Sequence, residues 1–339
     1  MVLEKSRSIR YLADMNFWQL LPRPFAVLAP MEDVTDWVYR KLVCDHGEPD
    51  VLMTEFTSAA ILCSNQPQRA MERLMVYEGE FARRPLVAQI WGADPTQMEK
   101  AAKLCAQLGF AGIDINMGCP VKKISKKGAC SALIRFPSLA GELIQAVKQG
   151  SQGKPVSVKT RIGWTQPETE VWCGHLLGQN LAALTVHGRT VAQKSEGKAD
   201  WVEIGKVTAL RNQISPSTLV IGNGDVTRAG AEGLRRLSGV DGLMVGRGVF
   251  SDLGIFRQDG YHCYTDWPES VKLSLLERHV TDHRNAWQGK KDYEKLKKFF
   301  KNYTAGFEGA LELRQRLMDT HDHAGSLAVL NQWRGARRL

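Results

Sequence analysis

Eight short apolar runs recur along the chain, each followed by a stretch with helical spacing. They are Phe25 to Ala29, Val51 to Phe56, Leu86 to Ile90, Gly112 to Asn116, Val156 to Thr160, Leu184 to His187, Thr218 to Gly222 and Gly242 to Gly246. Runs of this length, bounded by polar or turn residues, read as buried strands. Between them, Asp94 to Leu108 and Ser138 to Lys148 have helical spacing, with Pro95 near a first helical position and Gly109 at a C-terminal cap. Eight strands alternating with helices predict an α/β fold: a parallel sheet closed into a TIM-type (β/α)8 barrel. The span from Phe25 to about Phe256 suits the roughly 250 residues of that barrel. An open doubly wound sheet is the alternative, but it would show a Gly-rich fingerprint after its first strand. Here that strand runs into Ala29-Pro30-Met31-Glu32-Asp33.

Beyond about Leu253 the pattern is helical only. One helix starts at Trp267-Pro268-Glu269 and continues from Val271 to His283, a second covers Asp292 to about Tyr303, and a third Thr304 to Met318. Arg334, Arg337 and Arg338 close the chain as a loose basic tail. The expected organisation is a lead-in arm over 1–24 that packs Trp18 onto the body, a barrel over 25–256, and a smaller all-helical domain over 257–339.

Composition narrows the class. The 339 residues are 43% hydrophobic, yet no apolar run approaches a membrane span and no signal-peptide core is present. Seven cysteines, an odd number without regular spacing, argue for a reducing, cytoplasmic setting over a disulfide framework. Without a CxxC pair or an HExxH, no metal site is expected. A net charge of +9 suits a polyanionic partner without requiring one. Nothing points to more than a monomer.

Function in such a barrel collects where strands end, at the C-terminal face. The strand ends here are polar or charged: Met31, Glu55, Gln89, Asn116 with Cys119, Lys159 with Arg161, His187 with Arg189, Asn223 with Asp225, and Arg247. Together they describe a lined pocket. Asp114-Ile115-Asn116-Met117-Gly118-Cys119-Pro120 presents an amide and a thiol on a turn stiffened by proline. Lys122, Lys123, Lys126 and Lys127 surround it with a positive rim that tends to lower the thiol pKa, without fixing where that pKa ends up. The glycines of Asn223-Gly224-Asp225 and Gly246-Arg247-Gly248 let backbone amides approach a phosphate, with Arg247 as a clamp, after the last two barrel strands. Lys159 and Arg161 are expected on opposite sides of their strand end. Lys159 either stabilises negative charge on a ring edge or pairs with Asp114 or Glu55. Gln89 suits an amide that reads a ring's donor and acceptor edge, and His187 a donor at the pocket wall. Lys290 to Lys301 holds six lysines against two acids, with Tyr293, Phe299 and Phe300. It is either a solvated helix face or a phosphate-contacting surface.

These motifs, with Ala29 to Asp36, Val158 to Arg161 and His187-Gly188-Arg189-Thr190, occur in an order that resembles the tRNA-dihydrouridine synthases. Those are flavin enzymes that reduce a uracil base in tRNA. The resemblance implies FMN at the barrel mouth, with NADPH as reductant and tRNA as partner. Pro30, Met31 and Glu32 would line the flavin. Gln89 and Lys159 would meet its pyrimidine side with His187 beside them. Asn223, Gly224, Asp225, Gly246 and Arg247 would hold its phosphate. Asn116, with Lys159, Arg161 and His187, would contact the uracil, and Cys119 would be the proton donor. Lys290, Lys291, Lys297, Lys298 and Lys301 would bind RNA. Two departures stand out. Gln193-Lys194-Ser195 replaces the usual Gln-Gly-Tyr, and Cys130 stands where glycine is usual. A small-molecule FMN reductase would share the phosphate loops without the basic helices, and a non-catalytic RNA-binding barrel would not need the lined pocket.

Overall fold

The computed structural model describes residues 16–257 and 264–337. Nine parallel strands follow the sequence pattern: β1 (Phe25–Leu28), β2 (Leu52–Met53), β3 (Thr57–Ser58), β4 (Leu86–Trp91), β5 (Gly112–Asn116), β6 (Val156–Arg161), β7 (Ala183–His187), β8 (Leu219–Asn223) and β9 (Gly242–Val245). They are ordered β1-β9-β8-β7-β6-β5-β4-β2. The circle closes where Val27 bridges Val51 and the Leu28 amide donates to the Val51 carbonyl at 3.0 Å. This is the expected (β/α)8 barrel. The run Val51 to Phe56 is not one strand, however. It leaves the ladder after Met53, and Thr54 Oγ1 accepts the Gln89 amide (3.1 Å) in place of a backbone carbonyl. β3 then rejoins β4 at Ile90 and Trp91.

Alternate residues of each strand point into the barrel. Phe25, Val27, Val51, Met53, Val87, Ala183, Leu219, Ile221 and Met244 share one buried cluster. Phe17 and Trp18, on a short turn before β1, join that cluster, so the lead-in packs Trp18 inward as expected. The outward faces carry helices. Pro95–Gln107 begins with Pro95 at its first turn, and the Asp94 side chain accepts the Gln97 amide at 2.8 Å.

A second compact unit comprises Trp37–Glu48 and the chain from Arg247 onward. The helix Trp37–His46, which follows β1 in sequence, therefore groups with the C-terminal helices, and the linear boundary near 256 does not describe the units. Within this unit Tyr39 lies 4.7 Å from Phe299 and 5.6 Å from His279, ring to ring. His279 Nδ1 hydrogen-bonds the Tyr303 hydroxyl at 2.8 Å. The first expected helix is found as Glu269–Trp287. The second is two short turns, Glu294–Lys297 and Phe300–Tyr303, and the third starts only at Ala310. Gly306 and Gly309, both at positive φ, hold the intervening chain out of helix. The terminal segment is not a loose tail. His323–Arg337 is a helix burying Ser326, Leu330 and Trp333. Arg334 pairs with Glu277 at 2.5 Å and Arg337 with Glu269 at 3.4 Å. Arg338 lies outside the described residues.

Candidate functional site

The mouth of the barrel is organised by a buried line of polar side chains. Gln89, Asp114 and Ser157 are register neighbours on β4, β5 and β6, and all three are fully buried. Ser157 Oγ donates to Asp114 Oδ1 (2.6 Å) and Gln89 Nε2 to Asp114 Oδ2 (2.7 Å). A carboxylate can only accept, so it forces the amino end of Gln89 toward itself and the oxygen end the other way. That oxygen accepts from Asn116 Nδ2 at 3.0 Å, and Asn116 Oδ1 in turn accepts the amides of Gly118 and Cys119, both at 3.0 Å. The orientation of Asp114 is thus handed on to the loop that carries Cys119. Burial raises the Asp114 carboxyl to about 6, against the opposing pull of Ser157, Gln89 and Lys159.

The same loop is held from β6. The Met117 amide donates to the Lys159 carbonyl (2.8 Å), and Arg161 Nε donates to the Gly118 carbonyl (2.7 Å). Arg161 Nη1 reaches the carbonyls of Thr190 (3.0 Å) and Lys194 (2.6 Å). Residues two apart on a strand share a face, so Lys159 and Arg161 do not take the opposite sides expected of them. Arg161 staples two loops through Nε and Nη1. Burial lowers it to about 10, helped by the charge of Arg189 and opposed by Cys119. Lys159 Nζ donates to Asn223 Oδ1 (3.0 Å), not to Asp114 or Glu55, and is lowered to about 8 by desolvation and then by Arg161.

Cys119 is half-buried, and its thiol is raised above its ordinary value. Desolvation is the largest cause, and it outweighs the Val121 amide, Arg161 and Lys159, which pull the other way. Desolvation thus wins over the lowering tendency of the positive rim: Lys122, Lys123, Lys126 and Lys127 are exposed, and the thiol stays protonated at neutral pH. Cys130 is fully buried at φ 55, a conformation glycine adopts without strain. Lys194, at φ 51, likewise occupies a position suited to glycine.

Arg189 has no evident task in the sequence, yet it is central to the mouth. Its buried guanidinium donates through Nη2 to both Asp225 oxygens (2.7 and 2.6 Å) and to the Gly197 carbonyl (2.6 Å). Nη1 lies 3.1 Å from His187 Nε2. Arginine cannot accept, so Nε2 is the acceptor and Nδ1 carries the ring proton. The signal was present as His187-Gly188-Arg189, but the arginine's partner follows another strand. Asp225 is consequently committed through its carboxylate, and Asn223 through both ends of its amide, Nδ2 reaching the Met244 carbonyl at 2.9 Å. Asp225 can meet a phosphate only through its backbone amide, whereas Asn223 also keeps its second Nδ2 hydrogen. Gly224 makes that approach possible: a Cβ there would lie 2.6 Å from Ala199 Cβ. Gly246 faces Ala29 and Met31, with a Cβ position 3.8 Å from each. Arg247 opens the C-terminal segment of the second unit.

Around β1, the Met31 amide donates to Thr35 Oγ1 (2.9 Å), the Asp33 amide to Glu55 Oε1 (2.5 Å), and Arg73 pairs with Glu32 at 2.6 Å. The donor set fits an aromatic, phosphate-bearing cofactor. Thr185 Oγ1, on the register partner of Lys159, is buried with no hydrogen-bond partner among the described residues. Gln89, expected at a ring edge, is fully buried, with its amide bridging Asp114 and Asn116. No group of three possible metal ligands exists among the described residues, and no described helix is long and apolar enough to cross a membrane.

In the second unit Tyr293, Phe299 and Phe300 are buried. Lys290 and Lys301 are exposed, Lys301 with its ammonium 5.9 Å from the Phe250 ring, and Lys291 lies 5.0 Å from the Trp287 ring. Lys298 is half-buried. Lys297 differs: it is buried, bonded to Glu294 at 2.8 Å and set over Tyr293. Its charge is taken up inside the protein.

Residues 27–336 match the family model described as dihydrouridine synthase. The chain is 43% identical over 322 residues to the probable tRNA-dihydrouridine synthase 2 of Bacillus subtilis (strain 168), covering 94% of this chain and 96% of that protein. It is 40% identical over 323 residues to the probable tRNA-dihydrouridine synthase of Staphylococcus aureus (strain COL), covering 94% and 95%. Among solved structures, morphinone reductase in complex with tetrahydroNAD aligns with a TM-score of 0.49 at 12% identity, over 70% of this chain and 87% of that one. That likeness is too partial to bear on function.

Proposed function

Because the chain belongs to the dihydrouridine synthase family, we propose that it reduces a uridine of tRNA to 5,6-dihydrouridine, with FMN as cofactor and NADPH as reductant. The observation that carries this reading is a thiol kept protonated by burial yet set against two cations, on a loop whose amides are fixed by Asn116. FMN, when bound, supplies a hydride to carbon 6 of the uracil. Pro30, Met31 and Glu32 would line its ring. Lys159, Thr185 and His187 would meet its polar edge, and the amides of Asn223 to Asp225 and Gly246 its phosphate.

Hydride at carbon 6 leaves carbon 5 needing a proton. Cys119 supplies it as general acid, and its raised pKa keeps that proton in place until it is needed. The thiolate left behind is stabilised by the Val121 amide, Arg161 and Lys159, the groups that pull the thiol pKa down. Asn116 keeps one Nδ2 hydrogen beyond the bond to Gln89, and Arg161 its Nη2 edge, to orient the uracil carbonyls. The target base must leave its stack to reach this mouth. Lys290, Lys291, Lys298 and Lys301 would contact phosphates of the folded RNA. The test is direct: purified protein, NADPH and tRNA made without modification should yield dihydrouridine and release FMN on denaturation. No dihydrouridine from a flavin-loaded preparation would overturn the reading.

A further inference from the structure

A groove of about 300 Å³ opens beside the Cys119 loop. Its apolar wall contains Ile61 and Val121, exposed by 40% and 46%, together with Trp91 at the end of β4. Large apolar side chains are usually withdrawn from water, so this wall is prepared to cover something flat and apolar. Its rim holds Arg69, Lys123 and Lys127, all exposed. A fourth cation, Arg73, is balanced by Glu32 at 2.6 Å. The groove therefore carries a net positive charge beside an indole and two aliphatic faces. That combination suits a nucleotide, whose base has an apolar face and whose phosphate is anionic.

The groove's position also ties it to the chemistry. The short helix Lys122–Ser125 follows Cys119 and Pro120 after Val121, its N-cap, and supplies Lys123 to the rim. Val121, which lines the groove, bonds the Cys119 thiol through its amide. A strand that delivers its base to Cys119 therefore meets this surface next. We propose that the groove seats the tRNA nucleotide adjoining the target uridine, its base on Trp91 between Ile61 and Val121, its phosphate among Arg69, Lys123 and Lys127. This rests on the proposed reduction of tRNA and extends it. Stacking is tolerant of base identity, so the seat fixes the register of the strand without reading its sequence.

Two sets of variants test it. In the Arg69→Gln, Lys123→Gln, Lys127→Gln triple variant, tRNA affinity near 0.1 M salt should fall at least tenfold. The slope of log affinity against log salt should drop by about 0.7, the value for the one single-strand phosphate seated there. Trp91→Leu should raise the KM for tRNA about tenfold, while Trp91→Phe, which keeps a stacking face, should restore it. Flavin content reports folding, and the NADPH dependence of flavin reduction is measured alongside. Unchanged tRNA affinity and salt slope in the triple variant, with wild-type enzyme active on tRNA, would overturn the proposal alone. A shift in the NADPH dependence instead of the tRNA dependence would overturn it in favour of a dinucleotide seat. Wild-type enzyme inert toward tRNA would defeat the proposed function and the nucleotide seat with it.

Discussion

The barrel mouth and the stretch Lys290–Lys301 both gather cations, yet they use them differently. At the mouth Arg161 and Arg189 are buried, and most of their bonded donors end on backbone carbonyls and on Asp225. Fixed forks of this kind hold loops in place and feel little of the salt in solution. In the helical unit Lys290 and Lys301 stand in water, where an ammonium acts as a point charge screened over about 8–10 Å. Lys297, buried against Glu294, belongs physically with the mouth. Charge counts in a sequence do not separate these two uses. Burial and partner geometry do.

The comparison breaks most sharply at Asp114, which sets the mouth's polarity without facing the substrate. Asp114→Asn keeps the shape but can turn either end of its amide to Gln89, so Asn116 loses its enforced orientation. Oxidation of the reduced flavin by tRNA should slow by up to about 10²-fold, the scale of a small misplacement of reacting groups. Stability should move the opposite way. The folded carboxyl, at about 6, lies above its ordinary 3.8, so the folded state holds the proton more tightly and wild-type protein loses stability as pH rises from about 4 to 6. Asn escapes that loss. At pH 7 the variant should gain on wild type by as much as about 3 kcal/mol relative to the difference at pH 4. Urea melts at the two pH values check this; an equal difference at both would remove Asp114 from the account.

Exchanging Lys290, Lys291 and Lys301 for glutamine should weaken tRNA binding several-fold and lower the salt slope by about 0.7–0.9 for each phosphate no longer neutralised. Flavin content should not change. Lys297→Gln sharpens the contrast: it should leave the slope alone and cost about 1 kcal/mol of stability, since its partner Glu294 is half in water. An equal slope change from Lys297 would erase the distinction between buried and solvated cations.

Why one set was legible in the sequence and the other not follows from range. All eight barrel positions showed as apolar runs because strands buried on both faces must be apolar throughout. The polar ends of those strands showed for the same reason. Arg189, the Gln89–Asp114 bond and the pairing of Lys159 with Asn223 were hidden, because each partner belongs to a different strand or its loop and only barrel closure brings them together. The helix His323–Arg337 was hidden because only Ser326, Leu330 and Trp333 of it are buried, too sparse a stripe against so many polar positions. The thiol pKa stayed open in the sequence because neighbouring lysines are visible there and desolvation is not.

The smallest expected effect is at Cys130. Although buried and close enough to Cys119 to feel its charge, it has no assigned chemical task. Cys130→Ala should change the rate of flavin oxidation by no more than about twofold, far below the loss of a general acid.

Cys119→Ala, which removes the proton donor without adding bulk, tests the central claim most directly. Anaerobic stopped-flow mixing of tRNA with enzyme already reduced by NADPH should show flavin absorbance returning at least about 10²-fold more slowly than in wild type, the usual loss for a general acid. Reduction by NADPH and binding of tRNA should persist. Reoxidation at the wild-type rate would contradict the account and assign the proton to water or another side chain.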